Sequence, residues 1–324
     1  MKAVVSTRYC PPQGLSLEEV ARPPLSLDGV LVKVHASSVN PLDWRMMRGV
    51  PYAMRPMTGF PRPKKTVQGV DVAGRVEAVG PDVAWARPGD EVFGACDGAF
   101  AEYVCGKEAG VAPKPSGLSF EQAAAVPLAG CTALQALRDH GHLQAGQNVL
   151  INGAGGGVGT FAVQVAKALG AHVTGVCSTR NVEMVRSLGA HQVVDYTTED
   201  FTRNSHGYDL VVDLVGNRPV RSLRRPLVPG GVLVLVGGGG GKLLGPLSQM
   251  LRARLLAPFL RLRLAIVMAK VTNDDLVTLT KLIDAGDVTP VVDRVYRLSQ
   301  APEAVRHVET MHGRGKTVIT VAEP

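Results

Sequence analysis

The chain changes its hydrophobic rhythm near residue 118. Before that point, apolar and polar positions alternate in short segments such as VLVKVHASSV (30–39), GVDVAGRVEAVG (69–80) and AFAEYVCG (99–106), bounded by Pro-Gly and Asp-Gly turns. Runs of period two predict a β-rich unit, and the N-terminal MKAVV reads as an edge strand. From Ser119 onward, apolar runs of four to six residues alternate with helical periods. That is the pattern of parallel strands buried on both faces and joined by crossover helices. Strands are predicted at 147–152, 171–176, 191–194, 208–213 and 231–236, and helices at 156–169, 180–188 and 219–226. Together they make a doubly wound α/β sheet. The segment 295–321 reads strand, helix, strand and is expected to rejoin the N-terminal unit. The division expected is 1–122, completed by about 268–324, against 123–267.

One junction in the second unit stands out. INGAGGGVGTFAVQVAKALG (151–170) runs from an apolar strand through glycines into a helix with apolar residues at 161, 162, 165, 166 and 169. The first-turn N–H groups of a helix lack intrahelical acceptors and carry its positive dipole end, which favours a pyrophosphate at the turn; glycines let the backbone come close. Tight packing alone also explains such a turn, but a strand before, a helix after and a second strand ending near Val176 fit a dinucleotide site. An NAD-preferring site places a carboxylate about 20 residues on, at the ribose 2′-hydroxyl. This chain has GVCSTRN there, with Ser178, Thr179 and Arg180 and no acid. A hydroxyl and a guanidinium suit a 2′-phosphate, so NADPH is expected over NADH. Ser178 acting as a helix cap, with Arg180 solvated, is the plainer reading and is compatible with the first.

Composition narrows the classes. With 324 residues, 45% hydrophobic and 19% charged, the chain has enough core for two domains. The cysteines at 10, 96, 105, 131 and 177 are odd in number and lack any CxxC pair, which argues against disulfide frameworks and zinc knuckles. The net charge of +7 is read as a basic surface suited to an anionic small molecule, and no nucleic-acid partner is expected. Leu255 to Ala269 is interrupted by Pro258, Arg261 and Arg263, so no transmembrane helix and no membrane partner are expected. The short apolar N-terminus does not read as a signal peptide, which makes the cytoplasm the expected compartment. Gly237–Gly241 reads as a mobile loop over a crevice, and LRARLLAPFLRLRL (251–264) as a surface or subunit-contact helix or part of a substrate channel.

The segments SSVNPLD (37–43), GVDVAGRVEAVG, PGDEVFG (88–94), LAGCTALQAL (128–137), the glycine turn with its helix, and YDLVVDLVG (208–216) occur in an order and spacing that cover nearly the whole chain. In this the chain resembles the zinc-free, quinone oxidoreductase (zeta-crystallin-like) branch of the medium-chain dehydrogenase/reductases. The resemblance implies a GroES-like N-terminal domain, a Rossmann domain, a nicotinamide meeting substrate in a cleft between them, and a homodimer. It places Asn40 and Asp43 beside the nicotinamide, Thr132 in contact with the cofactor, and Gly155, Gly156, Gly157 and Val158 at the pyrophosphate. It also places Ser178 and Arg180 on the 2′-phosphate, Tyr196 near the adenosine phosphate, and the main chain of Val236 and Gly237 at the carboxamide. Tyr52, in a proline-rich loop, would stand near the cleft mouth as a substrate contact, and Lys270 would face the cofactor or solvent. Plainer roles exist for each: Asn40 as a turn residue before Pro41, Asp43 as a cap, Thr132 bonding within its helix, Tyr196 as packing.

Zinc-dependent relatives need a thiolate and an imidazole; here Ser37, Ser38, Gln68, Gly69 and Val70 stand near those positions, so no metal is expected. Without a Lewis acid a conjugated acceptor is favoured, because arriving charge spreads through its π-system. The function expected is NADPH-dependent reduction of a quinone or an α,β-unsaturated carbonyl. The alternatives are an enoyl-thioester reductase, or a protein that binds NADPH without turnover, as a redox sensor, lens-type structural protein or RNA-associated module. His140, His142, His206 and His307 are read as structural.

Overall fold

The computed structural model describes residues 1–203, 207–237, 242–311 and 313–321. The chain divides into two compact units. The first comprises Met1–Cys131, Lys270–Asp284 and Pro290–Pro324; the second comprises Thr132–Ala269 with Ala285–Thr289. Gly238–Gly241, expected as a mobile loop, and His206 lie outside the described residues.

The first unit begins with an antiparallel pair, β1 (Lys2–Val5) and β2 (Ser16–Glu19). There follow β3 (Gly29–Val39), the helices α1 (Pro41–Arg48) and α2 (Arg55–Thr58), β4 (Asp71–Val79), β5 (Glu91–Ala95), β6 (Tyr103–Lys107), β7 (Val111–Pro113) and α3 (Phe120–Ala124). The division between the units falls inside the next helix, α4 (Pro127–Gln135).

In the second unit the order is β8 (Asn148–Asn152), α5 (Gly157–Ala168), β9 (His172–Cys177), α6 (Val182–Ser187), β10 (Gln192–Asp195), β11 (Tyr208–Asp213), α7 (Val220–Leu223), β12 (Leu227–Leu235), α8 (Pro246–Leu256) and β13 (Arg263–Ile266). The chain then returns to the first unit with α9 (Asn273–Asp284), β14 (Val292–Arg297), α10 (Ala301–Glu309) and β15 (Lys316–Thr320).

A seven-stranded sheet organises the first unit in the order β14-β15-β3-β4-β5-β7, with β6 also paired to β3. As expected, the C-terminal strand rejoins the N-terminal unit: β15 runs antiparallel to β3, pairing Val318 with Ser38 and Thr317 with Val39. This pairing sets Lys316, at the head of β15, against the end of β3, where the polar residues of SSVNPLD begin. Val30, Val32 and Val34 of β3 pack with Val72, Val76 and Val92 on one side of the sheet. Val39 joins a second core with Met47, Phe100 and Ile319. The alternating pattern read from the sequence therefore serves two cores.

The second unit is a six-stranded sheet, parallel throughout, in the order β10-β9-β8-β11-β12-β13. Relabelled from β8, this is 3-2-1-4-5-6, the doubly wound dinucleotide-binding order. The strand order reverses at β8, so the crevice expected to hold a ligand lies beyond the carboxyl ends of β8 and β11. The reading of 251–264 as one helix is corrected. The helix ends at Leu256, and Arg263–Ile266 forms the edge strand β13 beside β12. Pro258 cannot continue a helix past its first turn, and the Leu-Arg alternation after it has the period of a strand. The helix expected at 219–226 shortens to Val220–Leu223, and β12 starts at Leu227.

Candidate nucleotide site and buried polar network

In the second unit the glycine turn has the shape a phosphate site needs. Gly153 has φ +94°, a left-handed conformation that favours glycine, and it links the end of β8 to α5. A Cβ on Gly159 would lie 2.1 Å from the Gly153 carbonyl oxygen, so only glycine lets the helix seat against the turn. A Cβ on Gly155 would meet the Asn181 amide at 2.6 Å, whereas one on Gly156 would find nothing nearer than 3.5 Å. Gly156, the N-cap of α5, therefore borders open space, and Gly156, Gly157 and Val158 are half-exposed there.

The contact of Gly155 with Asn181 brings together the two stretches expected to hold cofactor phosphates. Ser178 precedes the turn 179–181 and makes no side-chain capping bond, so the plainer reading of it as a cap is not what the structure adopts. Arg180 is exposed. Tyr196 follows the end of β10, with its N–H donating to the Cys177 carbonyl and its ring 45% exposed, which keeps it beside Ser178.

Three polar groups near this end of the sheet escaped sequence reasoning. Asp195, half-buried, accepts hydrogen bonds from the Thr179 hydroxyl (2.6 Å) and from Thr197, and these hold its carboxyl below the usual carboxylate range. Asp213 ends β11 and pairs in register with Asn152, which ends β8. Its Oδ1 accepts from Asn152 Nδ2 (2.8 Å), Gly216 N and Val215 N, while Oδ2 is buried without a partner. Burial pushes this carboxyl up. The Asn181 Oδ1 is likewise buried and unpartnered. An open glycine turn flanked by unpaired buried oxygens fits a ligand carrying phosphates and ribose hydroxyls. Val236 donates its N–H to the Asp213 carbonyl, and it and Gly237 are half-buried just past β12.

The first unit holds Asn40 and Asp43. Asn40 caps α1, and the backbone N–H of Asn40 donates to Asp43 Oδ2 at 2.6 Å, so Asp43 does serve the helix start. Both residues are buried, and the Asn40 side chain belongs to a network centred on Asp71. Asp71 Oδ2 accepts from Ser38 Oγ (2.7 Å), Asn40 Nδ2 (2.8 Å) and Lys316 Nζ (3.3 Å); its Oδ1 accepts from Leu128 N (3.0 Å) at the start of α4. Lys316 Nζ also donates to Asn40 Oδ1 at 2.6 Å. The amide of Asn40 is thereby fixed: its oxygen faces an ammonium and its nitrogen faces a carboxylate, so a flipped amide would set like against like. A carboxylate at the N-terminus of α4 is also favoured by the helix dipole. Burial, chiefly, raises the Asp43 carboxyl to about 7.

Thr132 is buried in α4, the helix that Asp71 anchors. Tyr52 lies at the surface with the Arg55 guanidinium 4.4 Å from its ring centroid; the same guanidinium sits 4.5 Å from Tyr9. Met57 and Phe60, nearby in sequence, are among the most exposed apolar side chains. Lys270 is exposed, and His307 pairs with Asp293 at 2.9 Å. Asp71 and Lys316 were legible as oddities, an acid opening an apolar strand and a lysine heading another, but no spacing linked them.

Two family models match the chain: an alcohol dehydrogenase GroES-like domain over residues 26–116 and a zinc-binding dehydrogenase domain over 188–319. The fold is thus that of a two-domain, nicotinamide-linked oxidoreductase. The mitochondrial NAD(P)H oxidoreductase RTN4IP1 of Mus musculus is 37% identical over 324 residues, covering 90% of this chain and 81% of that protein. A chloroplastic quinone-oxidoreductase homolog of Spinacia oleracea is 32% identical, covering 93% and 92%. Among solved structures, the quinone oxidoreductase from Coxiella burnetii superposes with a TM-score of 0.89 at 33% identity and 99% coverage of both chains. The chain belongs to the zinc-free quinone oxidoreductase family of the medium-chain dehydrogenase/reductases. Although one matching model is described as zinc-binding, the residues here do not fit that ion. No group of three His, Cys, Asp or Glu that could hold a metal occurs among the described residues, and Asp71 is taken up by an ammonium, a hydroxyl and two amides.

Proposed function

We propose that this reductase takes electrons from NADPH and passes them to a quinone or an α,β-unsaturated carbonyl without a metal. The observation that carries the reading is the junction of the open glycine turn with the segment 178–181, which offers a hydroxyl and a cation where an NAD site would offer an acid. When bound, the reduced nicotinamide supplies a hydride equivalent. Gly155, Gly156, Gly157 and Val158 hold the pyrophosphate through first-turn N–H groups, and Ser178 and Arg180 hold the 2′-phosphate. Tyr196 flanks the adenosine, and the main chain of Val236 and Gly237 meets the carboxamide. Asp195 is the acid nearest this segment in the sheet, and its oxygens are already engaged by Thr179 and Thr197, which leaves Arg180 as the recognition charge.

In the first unit, Asn40 keeps one amide N–H beyond the bond to Asp71, and we assign it to the acceptor or the nicotinamide, with Asp43 holding the start of α1 in place; Thr132, in the second unit, is assigned to the cofactor. Tyr52, steadied by Arg55, offers a flat ring to a planar acceptor. Only alignment and hydrogen bonds are asked of the protein, because a conjugated acceptor spreads the incoming charge onto oxygen. The acceptor takes up one proton from water to complete its reduction.

Oxidation of NADPH and NADH by the full chain, measured spectrophotometrically with 1,2- and 1,4-quinones, 2-alkenals and an enoyl thioester, tests this. Faster turnover with NADPH and with a quinone or alkenal is expected. Tight NADPH binding with no turnover on any acceptor would refute the enzymatic reading, and a preference for the thioester would move the substrate class.

A further inference from the structure

We infer that Arg55 anchors an oxyanion site, so that the conjugated acceptor of this reductase carries a carboxylate or a phosphate; this deepens the proposed function and rests on its placement of Tyr52. The half-buried Arg55 opens α2 and is held from three directions. Its guanidinium carbon lies 4.4 Å from the ring centroid of Tyr52 and 4.5 Å from that of Tyr9, and its Nε donates to the Gly49 carbonyl at 3.0 Å. Tyr9 is fixed in turn, its hydroxyl donating to the Gly59 carbonyl at 2.7 Å and lying 3.0 Å from Thr58 Oγ1. Cation–π contacts with two rings and a bond at Nε remove most of the rotamer freedom that an arginine gives up on binding. The two terminal nitrogens remain. They form the fork that grips a carboxylate or a phosphate by paired N–H groups, and neither makes a hydrogen bond or salt bridge among the described residues.

Other cations of the first unit are held by acids, as Arg48 is by Glu309 (2.5 Å), Lys114 by Glu91 (3.2 Å) and Lys316 by Asp71 (3.3 Å). Arg55 is held without one. Between Asp43 and Asp71 the chain carries six Lys and Arg and no Asp or Glu. Glu309 takes Arg48 and Asp97 takes Lys65, whereas Arg62 and Lys64 are exposed and form no salt bridge among the described residues. The surroundings therefore add positive potential to the fork. The phosphates of the cofactor are assigned to the glycine turn and Arg180 in the second unit, which leaves this fork to the acceptor. The ring of Tyr52, 41% exposed, borders the guanidinium. A flat conjugated group on that ring brings a charged substituent within reach of Arg55. Each part then has its own recognition element, stacking for the π-system and paired charge-assisted bonds for the oxyanion. A neutral quinone would leave the fork to water.

The test compares 2-methyl-1,4-naphthoquinone carrying a carboxyethyl or a phosphoethyl chain at carbon 3 with the neutral methyl ester of each, so that the reacting ring stays the same and only the charge changes. Turnover with NADPH, and calorimetric binding to the full chain in the presence of NADP+, are measured for each pair. Each acid is expected to bind about tenfold tighter than its ester and to have a KM lower by a similar factor, an advantage that shrinks as salt rises. Arg55→Gln is expected to erase the acid-to-ester ratio; Arg55→Lys, which keeps the charge but loses the fork, is expected to keep part of it. A ratio taken within one variant cancels any general loss from a disturbed loop. The larger of the two ratios names the group as carboxylate or phosphate. Equal binding of acid and ester by the unmodified protein, or a ratio that survives Arg55→Gln, would overturn the inference. So would inorganic phosphate binding as tightly as the acids, which marks a site for a free anion. Turnover with no preference for the acids overturns this inference alone, whereas a preference in binding with no turnover of any acceptor overturns the reductase reading and leaves the oxyanion site.

Discussion

The buried network of the first unit gives a quantitative prediction for Lys316. Its side chain is 2% exposed and that of Asp71 is fully buried. Lys316→Met keeps the volume of the stem but removes the ammonium, leaving Asp71 with Ser38, Asn40 and Leu128 as donors and Asn40 Oδ1 without one. Breaking one side of a buried pair costs about 3–5 kcal/mol; the three surviving donors to Asp71 place this variant near the lower figure, about 3 kcal/mol. Asp71→Asn is expected to cost a similar amount, because it leaves a buried ammonium with less compensation. The double variant removes both charges, and its loss should fall short of the sum by at least about 1 kcal/mol. Urea unfolding followed by tryptophan fluorescence suits the measurement, since the two tryptophans, Trp44 and Trp85, both lie in the first unit and report on it alone. Single-variant losses below about 1 kcal/mol, or strictly additive losses in the double variant, would refute the argument that these charges stabilise one another.

Three further predictions rest on single groups. Because burial raises Asp43 from 3.8 to about 7, the native state holds a proton that the unfolded chain releases. Stability from this group is full below pH 4 and declines as pH rises toward 7, by a total on the order of 4 kcal/mol at 1.36 kcal/mol per pH unit; Asp43→Asn should flatten that slope in urea midpoints recorded against pH. Gly159→Ala should destabilise the second unit by about 1–3 kcal/mol and abolish cofactor binding, because its Cβ must displace the Gly153 carbonyl, whereas Gly156→Ala should fold normally and lose only binding, as read by calorimetric titration with NADPH. Arg180→Glu, on an exposed side chain, should leave the thermal midpoint unchanged while weakening NADPH by about tenfold or more relative to NADH; an unaltered ratio would remove Arg180 from cofactor recognition.

The two halves of the chain were legible for different reasons. In the second unit each strand is a short apolar run and each helix carries its own period, so β8, α5, β9 and β11 lie within a residue or two of their predicted bounds. Local pattern is enough where an element is buried along its whole length. It failed at 251–264, where Pro258 and alternating arginines outweigh the helix-forming leucines. The glycine turn was readable because its chemistry is contiguous in sequence. The network around Asp71 was not, since Ser38, Asp71, Leu128 and Lys316 come from four separate segments and only the pairing of β15 with β3 brings the last of them home. Asp213 and Asn181 were missed for a related reason: what marks them is an unpaired atom, and unpaired atoms appear only once the neighbours are placed.

The closure of β15 onto β3 also orders events during synthesis. Lys316 and Asn40 are 276 positions apart, and nearly the whole second unit lies between them. A growing chain therefore presents a complete Rossmann sheet well before the ribosome delivers the strand that seals the first sheet. Until then the β3 edge and the Asp71 carboxylate await their last partner, and loop-closure entropy for so distant a contact is recovered only at the end. The interval exposes an unpaired strand edge, and truncations near the C-terminus should be judged by what they do to that edge, since the missing residues leave the other sheet whole.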